Sequence, residues 1–436
     1  METFSITNLL LLLVPVVLLY VLLIYKMYDK VEKIYVSIIF LGLYFYGGIG
    51  AAYLKAPASY TIYFLLFLTV FVFIYRVKFL FAHAVKNTFS TFYKFNGATI
   101  FDVPLLNSCV IWGYLALELS SLVYPKFNIT SLWHPPLPDV MSSLIGTIDV
   151  SVENIDVVSK LLFYFKLLGL PLYLLALNAK TTKPAQLFFL LFFPLYIDYC
   201  SSAYIARGMI LVNLALWLLI TYAFNKKLRF SLVTACIFLM PLLLIFFYIY
   251  SVARISGDFG ADVSGNVIGK LFYNEVSFPD HFAEIVNSGK HVDFPSFLVW
   301  LVTLPFPKFL VGGINVPLIN LELSEIVIGM NRSDQGFWVE LTGYISESYY
   351  IFGKYFFWVE AVMVAWLAKV IFYFLRNIKG SLILIYFVAM QFGYTFSRAG
   401  IGAVVPNLIN GFLAVYVYFA IKAHFKNRSA AKLSAG

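Results

Sequence analysis

Long apolar segments alternate with short polar connections over most of the chain. Each segment is roughly 20 residues long, the length that an α-helix needs to cross the hydrocarbon core of a bilayer. Because no water is available at that depth, backbone groups must bond within each segment, which favours helices. The pattern predicts an all-α polytopic membrane protein with about eleven transmembrane helices. The predicted spans are Thr7–Tyr25, Ile34–Ala52, Tyr60–Phe81, Val103–Val123, Val157–Asn178, Ala185–Tyr199, Gly208–Phe224, Ser231–Val252, Gly353–Phe374, Ser381–Thr395 and Gly402–Ile421.

One long polar interval, Ala253–Phe352, interrupts this alternation. It contains eleven of the 22 acidic residues but only five Lys or Arg. We therefore divide the chain into eight spans with an external loop at 124–156 (residues 1–252), a large external loop (253–352), and three spans with a basic tail (353–436). Within the large loop, Phe297–Val311 is apolar but is interrupted by two prolines, so we expect a re-entrant or interfacial element there.

Composition and charge narrow the class of protein further. Hydrophobic residues make up 61% of the chain and charged residues 12%, which excludes an ordinary soluble domain. The net charge of +9 comes from short basic clusters after the odd-numbered spans and in the tail. Such clusters are topology signals and not a nucleic-acid-binding face. They predict an outer N-terminus, an outer large loop and an inner C-terminus.

Three arginines are predicted to lie at the outer membrane boundary. Arg207 begins the seventh span, Arg254 follows the eighth and Arg398 follows the tenth. The guanidinium group binds phosphate oxygens through two parallel hydrogen bonds, so several arginines at one interface favour an anionic, phosphate-bearing ligand. The alternative is that each arginine extends to the interface from a helix end without a ligand.

Charged residues also occur inside the predicted spans. Glu118 and Lys166 are expected at similar depth in the fourth and fifth spans, and Glu360 lies roughly 10 Å below the start of the ninth by helix geometry. Charges within the bilayer are costly and are usually paired or solvated. A structural ion pair between Glu118 and Lys166 is favoured over a catalytic role.

The large loop carries the candidate catalytic bases. Glu347 is preferred because it lies next to the membrane surface, where the arginines are expected. The spacing of the two loop histidines does not match a zinc site, and the chain has no Asp-x-Asp pair, Walker A sequence or dinucleotide-binding glycine pattern. We therefore expect no metal and no cofactor. The candidate bases are Asp258, His281, His291, Glu340 and Glu347.

The layout and several local sequences resemble the Wzy-type polymerases of bacterial O-antigen and capsule repeat units. The resemblance covers nearly the whole chain, although Ile351 stands where the family often has Asn. Arg254 and Gly265 also fit an Arg-x10-Gly pattern of some members. The local sequences are Ser201–Gly208, which opens a span, the proline-broken Leu304–Lys308, Glu347–Gly353 at the loop end, and Phe396–Gly400 before the last span.

The resemblance implies a helical bundle like that of GT-C glycosyltransferases in the bacterial inner membrane, with the N-terminus in the periplasm and the C-terminus in the cytoplasm. It implies that a growing glycan on polyprenyl diphosphate is transferred to a lipid-linked repeat unit, without a metal and with a chain-length regulator as a further partner. Glu347 would act as the base, and Arg254 and Arg398 would stabilise the leaving diphosphate. Expected substrate-binding residues are Arg207, Asp258, His281, Glu340 and Tyr349.

Two alternatives remain open from the sequence. A ligase of related fold, which transfers finished glycan to the lipid A core, would share the layout and the arginines. A flippase or other transporter for lipid-linked oligosaccharides belongs to a different class. Transporters commonly contain paired internal repeats with sites near the bilayer midplane, and no such repeat is visible in this sequence.

Overall fold

A computed structural model provides the structure of the chain. Every regular element within the described residues is helical. The described ranges are 6–53, 57–77, 104–136, 157–180, 183–203, 207–225, 277–303, 318–334, 339–378, 380–405 and 411–418, together with a few isolated positions.

Thirteen helices of nine or more residues have both ends within these ranges. They are α1 Ile6–Ile24, α2 Lys30–Leu43, α3 Ala58–Arg76, α4 Pro104–Leu119, α5 Val157–Lys180, α6 Pro184–Ser202, α7 Arg207–Phe224, α8 Phe278–Ser288, α9 Phe294–Thr303, α10 Ile319–Ile328, α11 Tyr344–Phe356, α12 Trp358–Arg376 and α13 Leu382–Met390. Residues 401–405 and 411–418 are also helical.

Within the described residues, six helical stretches are long and apolar enough to cross a membrane. This supports a multi-pass helical membrane protein, while the full count of eleven spans stays a prediction. The predicted span Ser231–Val252 lies almost entirely outside the described residues. The six stretches are Lys30–Ile49, Ala58–Arg76, Val157–Asn178, Pro184–Ser202, Trp358–Arg376 and Leu382–Ala399.

Two helices change to π-helical geometry where they pack together. The π-helical segment Tyr44–Ile49 continues α2, and Gln391–Phe396 continues α13. The two helices approach so closely at Gly42 that an added Cβ would lie 1.7 Å from the backbone oxygen of Gly393. π-Helical turns are rare and occur frequently at functional sites. The segment Gln391–Phe396 leads directly to Arg398.

Helices α4, α5 and α6 contain the ion pair that the sequence predicts. Lys166 Nζ lies 2.6 Å from Glu118 Oε2 and 3.4 Å from Asp198 Oδ1. The side chain of Glu118 is only 4% exposed, whereas that of Asp198 is 47% exposed. The pairing of Glu118 with Lys166 is confirmed, and Asp198 is an additional partner.

The ninth predicted span begins later than its apolar pattern indicates. Gly353 has φ 71° and ψ −177°, which breaks the helical path inside α11, and α12 then starts at Trp358. Glu360 therefore lies in the first turn of α12 and not about two turns below its start. The residues between Gly353 and Trp358 are largely apolar, so the sequence pattern predicted one continuous span, Gly353–Phe374, and did not indicate the break.

The helices of the large loop cover one end of the bundle. Phe282 of α8 packs against Tyr60 near the start of α3, with ring centroids 5.4 Å apart. The other end of the bundle carries an ion pair between Asp29, at the start of α2, and Arg376, at the end of α12 (3.0 Å). Helix α9 overlaps the predicted re-entrant element, whose remainder lies outside the described residues.

Candidate functional site

Arg398 lies against two tyrosine rings at the end of the bundle that the loop helices cover. Its Nη1 donates a hydrogen bond to the hydroxyl of Tyr394 (2.5 Å). The guanidinium carbon is 5.1 Å from the centroid of Tyr394 and 5.8 Å from that of Tyr46, both within cation–π range. Tyr46 contacts Phe278 of α8 (5.9 Å). We call Arg398, Tyr394, Tyr46 and Phe278 the arginine–aromatic cluster.

The start of α7 packs against the same tyrosine. A Cβ added to Gly208 would lie 2.2 Å from Cε1 of Tyr394, so the glycine allows the ring to rest on the helix backbone. Arg207 is the residue immediately before Gly208 and is the first residue of α7. The backbone at the start of α7 therefore lies beside Tyr394, while the side chain of Arg207 lies outside what the structure describes. Arg254 lies outside the described residues.

Glu347 is buried directly behind the arginine–aromatic cluster. Its Oε2 accepts a hydrogen bond from the backbone N–H of Ile401 (2.5 Å), and its Oε1 accepts one from that of Gly402 (3.1 Å). These N–H groups begin the helix that starts at residue 401, and such groups lack partners within their own helix. The carboxylate thus serves as a cap contributed by α11, where it also benefits from the helix dipole.

Two glycines allow this contact to form. Gly400 has φ 73° and ψ −167°, a region that is essentially restricted to glycine. A Cβ at this position would lie 1.3 Å from Oε2 of Glu347. Gly343 has φ 81°, and its N–H donates to the backbone oxygen of Arg398 (2.9 Å). The start of α11 is thereby bonded to the segment that carries Arg398.

Burial determines the protonation behaviour of Glu347. The residue is 1% exposed, and this burial raises the pKa of Glu347 to about 7, although the N–H groups of Gly402 and Ile401 act in the opposite direction. The sequence pattern predicts that Glu347 lies on a loop at the membrane surface. Its position next to the Arg398 segment agrees with that expectation, whereas its burial was not expected.

The predicted binding residues His281, Glu340 and Tyr349 lie at or beside α8. Burial lowers the pKa of His281, and neighbouring Glu340 acts in the opposite direction. The backbone of Glu340 bonds to the hydroxyl of Ser324. Tyr349 packs against Phe282 with centroids 5.4 Å apart and against His291 at 5.3 Å. His281 and Glu340 are thus neighbours, Tyr349 lies against the next residue of α8, and Asp258 lies outside the described residues.

Several residues of the site were not identified from the sequence. Tyr394 precedes Arg398 by four residues, a spacing that places side chains on one helix face, so this neighbour was predictable. Tyr46 is more than three hundred residues away, and no local pattern connects it to Arg398. Within the described part of the chain, no cluster of three His, Cys, Asp or Glu side chains is suited to hold a metal ion.

Comparisons with known proteins give no further guide to the site. No family model matches the chain, and neither a curated protein nor a solved structure shows significant similarity to it. The functional interpretation therefore depends on the chemistry of the residues.

Proposed function

We propose that this protein is a membrane-embedded glycosyltransferase that polymerises polyprenyl-diphosphate-linked oligosaccharide repeat units. The observation that carries the proposal is the arginine–aromatic cluster at the loop-covered end of the bundle. Arg398 is half-buried there, held by the hydroxyl of Tyr394 and stacked near two rings. A guanidinium group fixed in this way is suited to bind the diphosphate of a lipid-linked donor.

The proposed reaction has a defined balance of charge and protons. A hydroxyl of the acceptor sugar attacks the anomeric carbon of the donor, the bond to the diphosphate oxygen breaks, and polyprenyl diphosphate leaves. Negative charge grows on the leaving group in the transition state, so a fixed arginine stabilises that state more than the ground state. Arg398 performs this role in the proposal, with Arg207 and Arg254 as further ligands of the diphosphate.

The proposal assigns the acceptor proton to Glu347. Its pKa, raised to about 7 by burial, is in the range in which a carboxylate works as a general base near neutral pH. The carboxylate is 1% exposed, so this role requires the contact between α11 and residues 400–402 to open when the acceptor binds. Substrate-induced opening and closing of this kind is common in enzymes.

Substitution of Arg398 tests the proposal in a polymerase-deficient bacterial strain. The Arg398→Ala variant is expected to insert in the membrane but to produce only single-repeat glycan. The Arg398→Lys variant should restore little chain growth, because an ammonium group does not provide the paired donors of guanidinium. Arg332→Ala is the matched control, since Arg332 lies in the large loop, away from the arginine–aromatic cluster, and pairs with Glu325 on an exposed surface (2.7 Å). Full-length glycan from Arg398→Ala would contradict the proposal.

Complementation also separates the polymerase from the ligase of related fold. A polymerase restores long chains to a strain that makes single-repeat lipopolysaccharide, whereas a ligase restores glycan transfer to a strain that makes none. The outcome identifies the reaction independently of the residues that carry it.

A transporter is a second candidate because acidic side chains are buried in the bundle. Glu118 and Glu360 are 3% and 0% exposed, and buried carboxylates often mark proton pathways in transporters. Proteoliposomes with purified protein and fluorescent lipid-linked repeat units discriminate between the two classes. Chain elongation on one leaflet supports the polymerase, and movement of unextended units between leaflets supports the transporter.

A further inference from the structure

Helix α9 of the large loop exposes a row of apolar side chains. Phe294, Leu298 and Val302 are 69%, 43% and 67% exposed, and their spacing of four residues places them on one face of the helix. The opposite face carries Trp300, which is buried in the hydrophobic core. We call Phe294, Leu298 and Val302 the apolar row of α9.

The preceding helix of the same loop has the pattern of a water-facing helix, and α9 does not. Helix α8 buries Phe278, Phe282 and Ile285 and exposes Glu284 and Asn287. Helix α9 is also buried on one side, but it contains no charged residue. Because an exposed apolar face of this kind marks a contact with a partner or a membrane, the apolar row needs a covering surface.

The polar side chains of α9 need no water. The hydroxyl of Ser296 donates a hydrogen bond to Oδ2 of Asp293 (2.7 Å), and the backbone N–H of Ser296 donates to Oδ1 of the same carboxylate (2.9 Å). The hydroxyl of Thr303 donates to the backbone oxygen of Val299 (2.7 Å). Hydrogen bonds satisfied within the protein are the condition for contact with lipid.

The contacts of α9 place it beside the start of the membrane span α12. The ring of Phe297 packs against Phe352, with centroids 5.2 Å apart, and the N–H of Val292 donates to the backbone oxygen of Tyr350 (3.1 Å). Phe352 directly precedes Gly353, where the helical path breaks before α12. Helix α12 is long and apolar enough to cross a membrane, so α9 lies at the boundary where this span begins.

Exposed aromatic residues mark the same boundary. Tyr355 and Phe356 are 75% and 60% exposed, and Trp358, the first residue of α12, is also exposed. Nζ of Lys354 lies 5.7 Å from the ring centroid of Tyr355. Exposed Tyr and Trp beside a lysine at the end of a span are typical of the interface between bilayer and water. The apolar row therefore lies next to a surface that faces lipid.

We propose that the apolar row of α9 docks onto the hydrocarbon chains of the bilayer leaflet at the loop-covered end of the bundle. Ten residues of helix extend about 15 Å, half of the roughly 30 Å hydrocarbon core, so α9 contacts this leaflet without crossing the membrane. Its buried face reaches the candidate site, because a Cβ added to Gly402 would lie 3.2 Å from Cζ2 of Trp300. Helix α9 thus separates the bilayer from the backbone that holds Glu347. This lipid contact does not depend on the reaction proposed above.

Spin labelling of the full-length protein in nanodiscs of phosphatidylethanolamine and phosphatidylglycerol tests the docking. Phe294→Cys, Leu298→Cys and Val302→Cys each carry one nitroxide label in a variant that lacks the three native cysteines. Collisions with oxygen, which concentrates in hydrocarbon, and with a water-soluble nickel chelate report the surroundings of each label. Glu284→Cys and Asn287→Cys, on the exposed face of α8, are the matched controls.

We expect the ratio of oxygen collisions to nickel-chelate collisions to be several-fold higher at the three row positions than at the two controls. A ratio equal to that of the controls would place the row in water and overturn the proposal. Dipolar broadening that disappears on dilution with unlabelled protein would assign the row to contact with a second copy and overturn it as well. Labels shielded from both reagents would show that another part of the chain covers the row, with the same consequence. Because the measurement needs no glycan assay, its failure is distinguishable from failure of the proposed polymerase activity.

Discussion

Alanine at position 400 should disrupt the contact between Glu347 and the helix that begins at residue 401. Gly400 has φ 73° and ψ −167°, where a Cβ introduces backbone strain of about 1–3 kcal/mol. The same Cβ would lie 1.3 Å from Oε2 and 2.2 Å from the carboxyl carbon of Glu347. The carboxylate must therefore leave its position against the N–H groups of Ile401 and Gly402.

Gly353 provides a matched control for the backbone strain. Its φ 71° and ψ −177° nearly equal those of Gly400, and nothing lies within 4 Å of a Cβ added there. Gly353→Ala should thus cost only the strain. Gly400→Ala should additionally lose two charge-assisted hydrogen bonds, at about 1.5–3 kcal/mol each. The difference between the two variants is expected to be about 3–6 kcal/mol by this addition.

Reversible unfolding of the purified protein in mixed micelles, titrated with SDS, measures this difference in unfolding free energy. A double-mutant cycle then identifies its origin. In a Glu347→Ala background the atoms that collide with the new Cβ are absent, so Gly400→Ala should cost no more than Gly353→Ala. Equal destabilisation by Gly400→Ala and Gly353→Ala in the wild-type background would refute the reasoning, because the buried carboxylate would then contribute nothing at this contact.

Three further predictions concern other parts of the structure. Burial raises the pKa of Glu347 from 4.5 to about 7. Between these pH values the folded state holds a proton that the unfolded chain has released, so the unfolding free energy should fall as pH rises from about 4.5 to about 7. The unfolding free energy of Glu347→Gln, measured over the same pH range, should show a smaller slope. Lys166→Met should destabilise the protein by about 3–5 kcal/mol, since it leaves Glu118 buried without its cation. Thermal unfolding should show that stability recovers when Glu118→Gln is added to Lys166→Met. Asp198→Asn should cost about 1 kcal/mol or less. Gly208→Ala should displace the Tyr394 ring, which lies 2.2 Å from the new Cβ, and shorten the glycan chains seen on a gel. Gly113→Ala is the control, because nothing lies within 4 Å of a Cβ added there. Unchanged chain lengths in Gly208→Ala would contradict a role for the arginine–aromatic cluster.

The local sequence pattern was sufficient to predict several long apolar helices and one buried ion pair. Apolar runs of the right length correctly identified α3, α5 and α6, because burial in lipid demands continuous hydrophobicity. The pair of Glu118 and Lys166 was predictable from depth, since a charge at that depth needs a partner. The break at Gly353 was missed because the residues on both sides are apolar, and only the backbone conformation distinguishes α11 from α12.

The candidate site was predictable only in part, for a related reason. Arg398 was identified by its position after a span, and Tyr394 lies one helical turn before it. Tyr46 and the N–H groups of Ile401 and Gly402 reach the site through tertiary packing across glycine contacts. The sequence around Glu347 does not indicate that its carboxylate is buried against backbone N–H groups much later in the chain. Glu347 was therefore expected to be solvated, although it is 1% exposed.

Loss of activity in Glu347→Ala would not by itself identify a catalytic base. The carboxylate bonds to the backbone three and four residues after Arg398, and removing it releases the segment that holds the guanidinium group. Glu347→Gln separates the two roles, because its amide oxygen still accepts one N–H while the side chain no longer takes a proton at neutral pH. Retained chain growth in Glu347→Gln would make Glu347 a positioning residue and direct the search for the base to Asp258. Loss of chain growth in Glu347→Gln, with unfolding free energy preserved, would assign the proton transfer to Glu347.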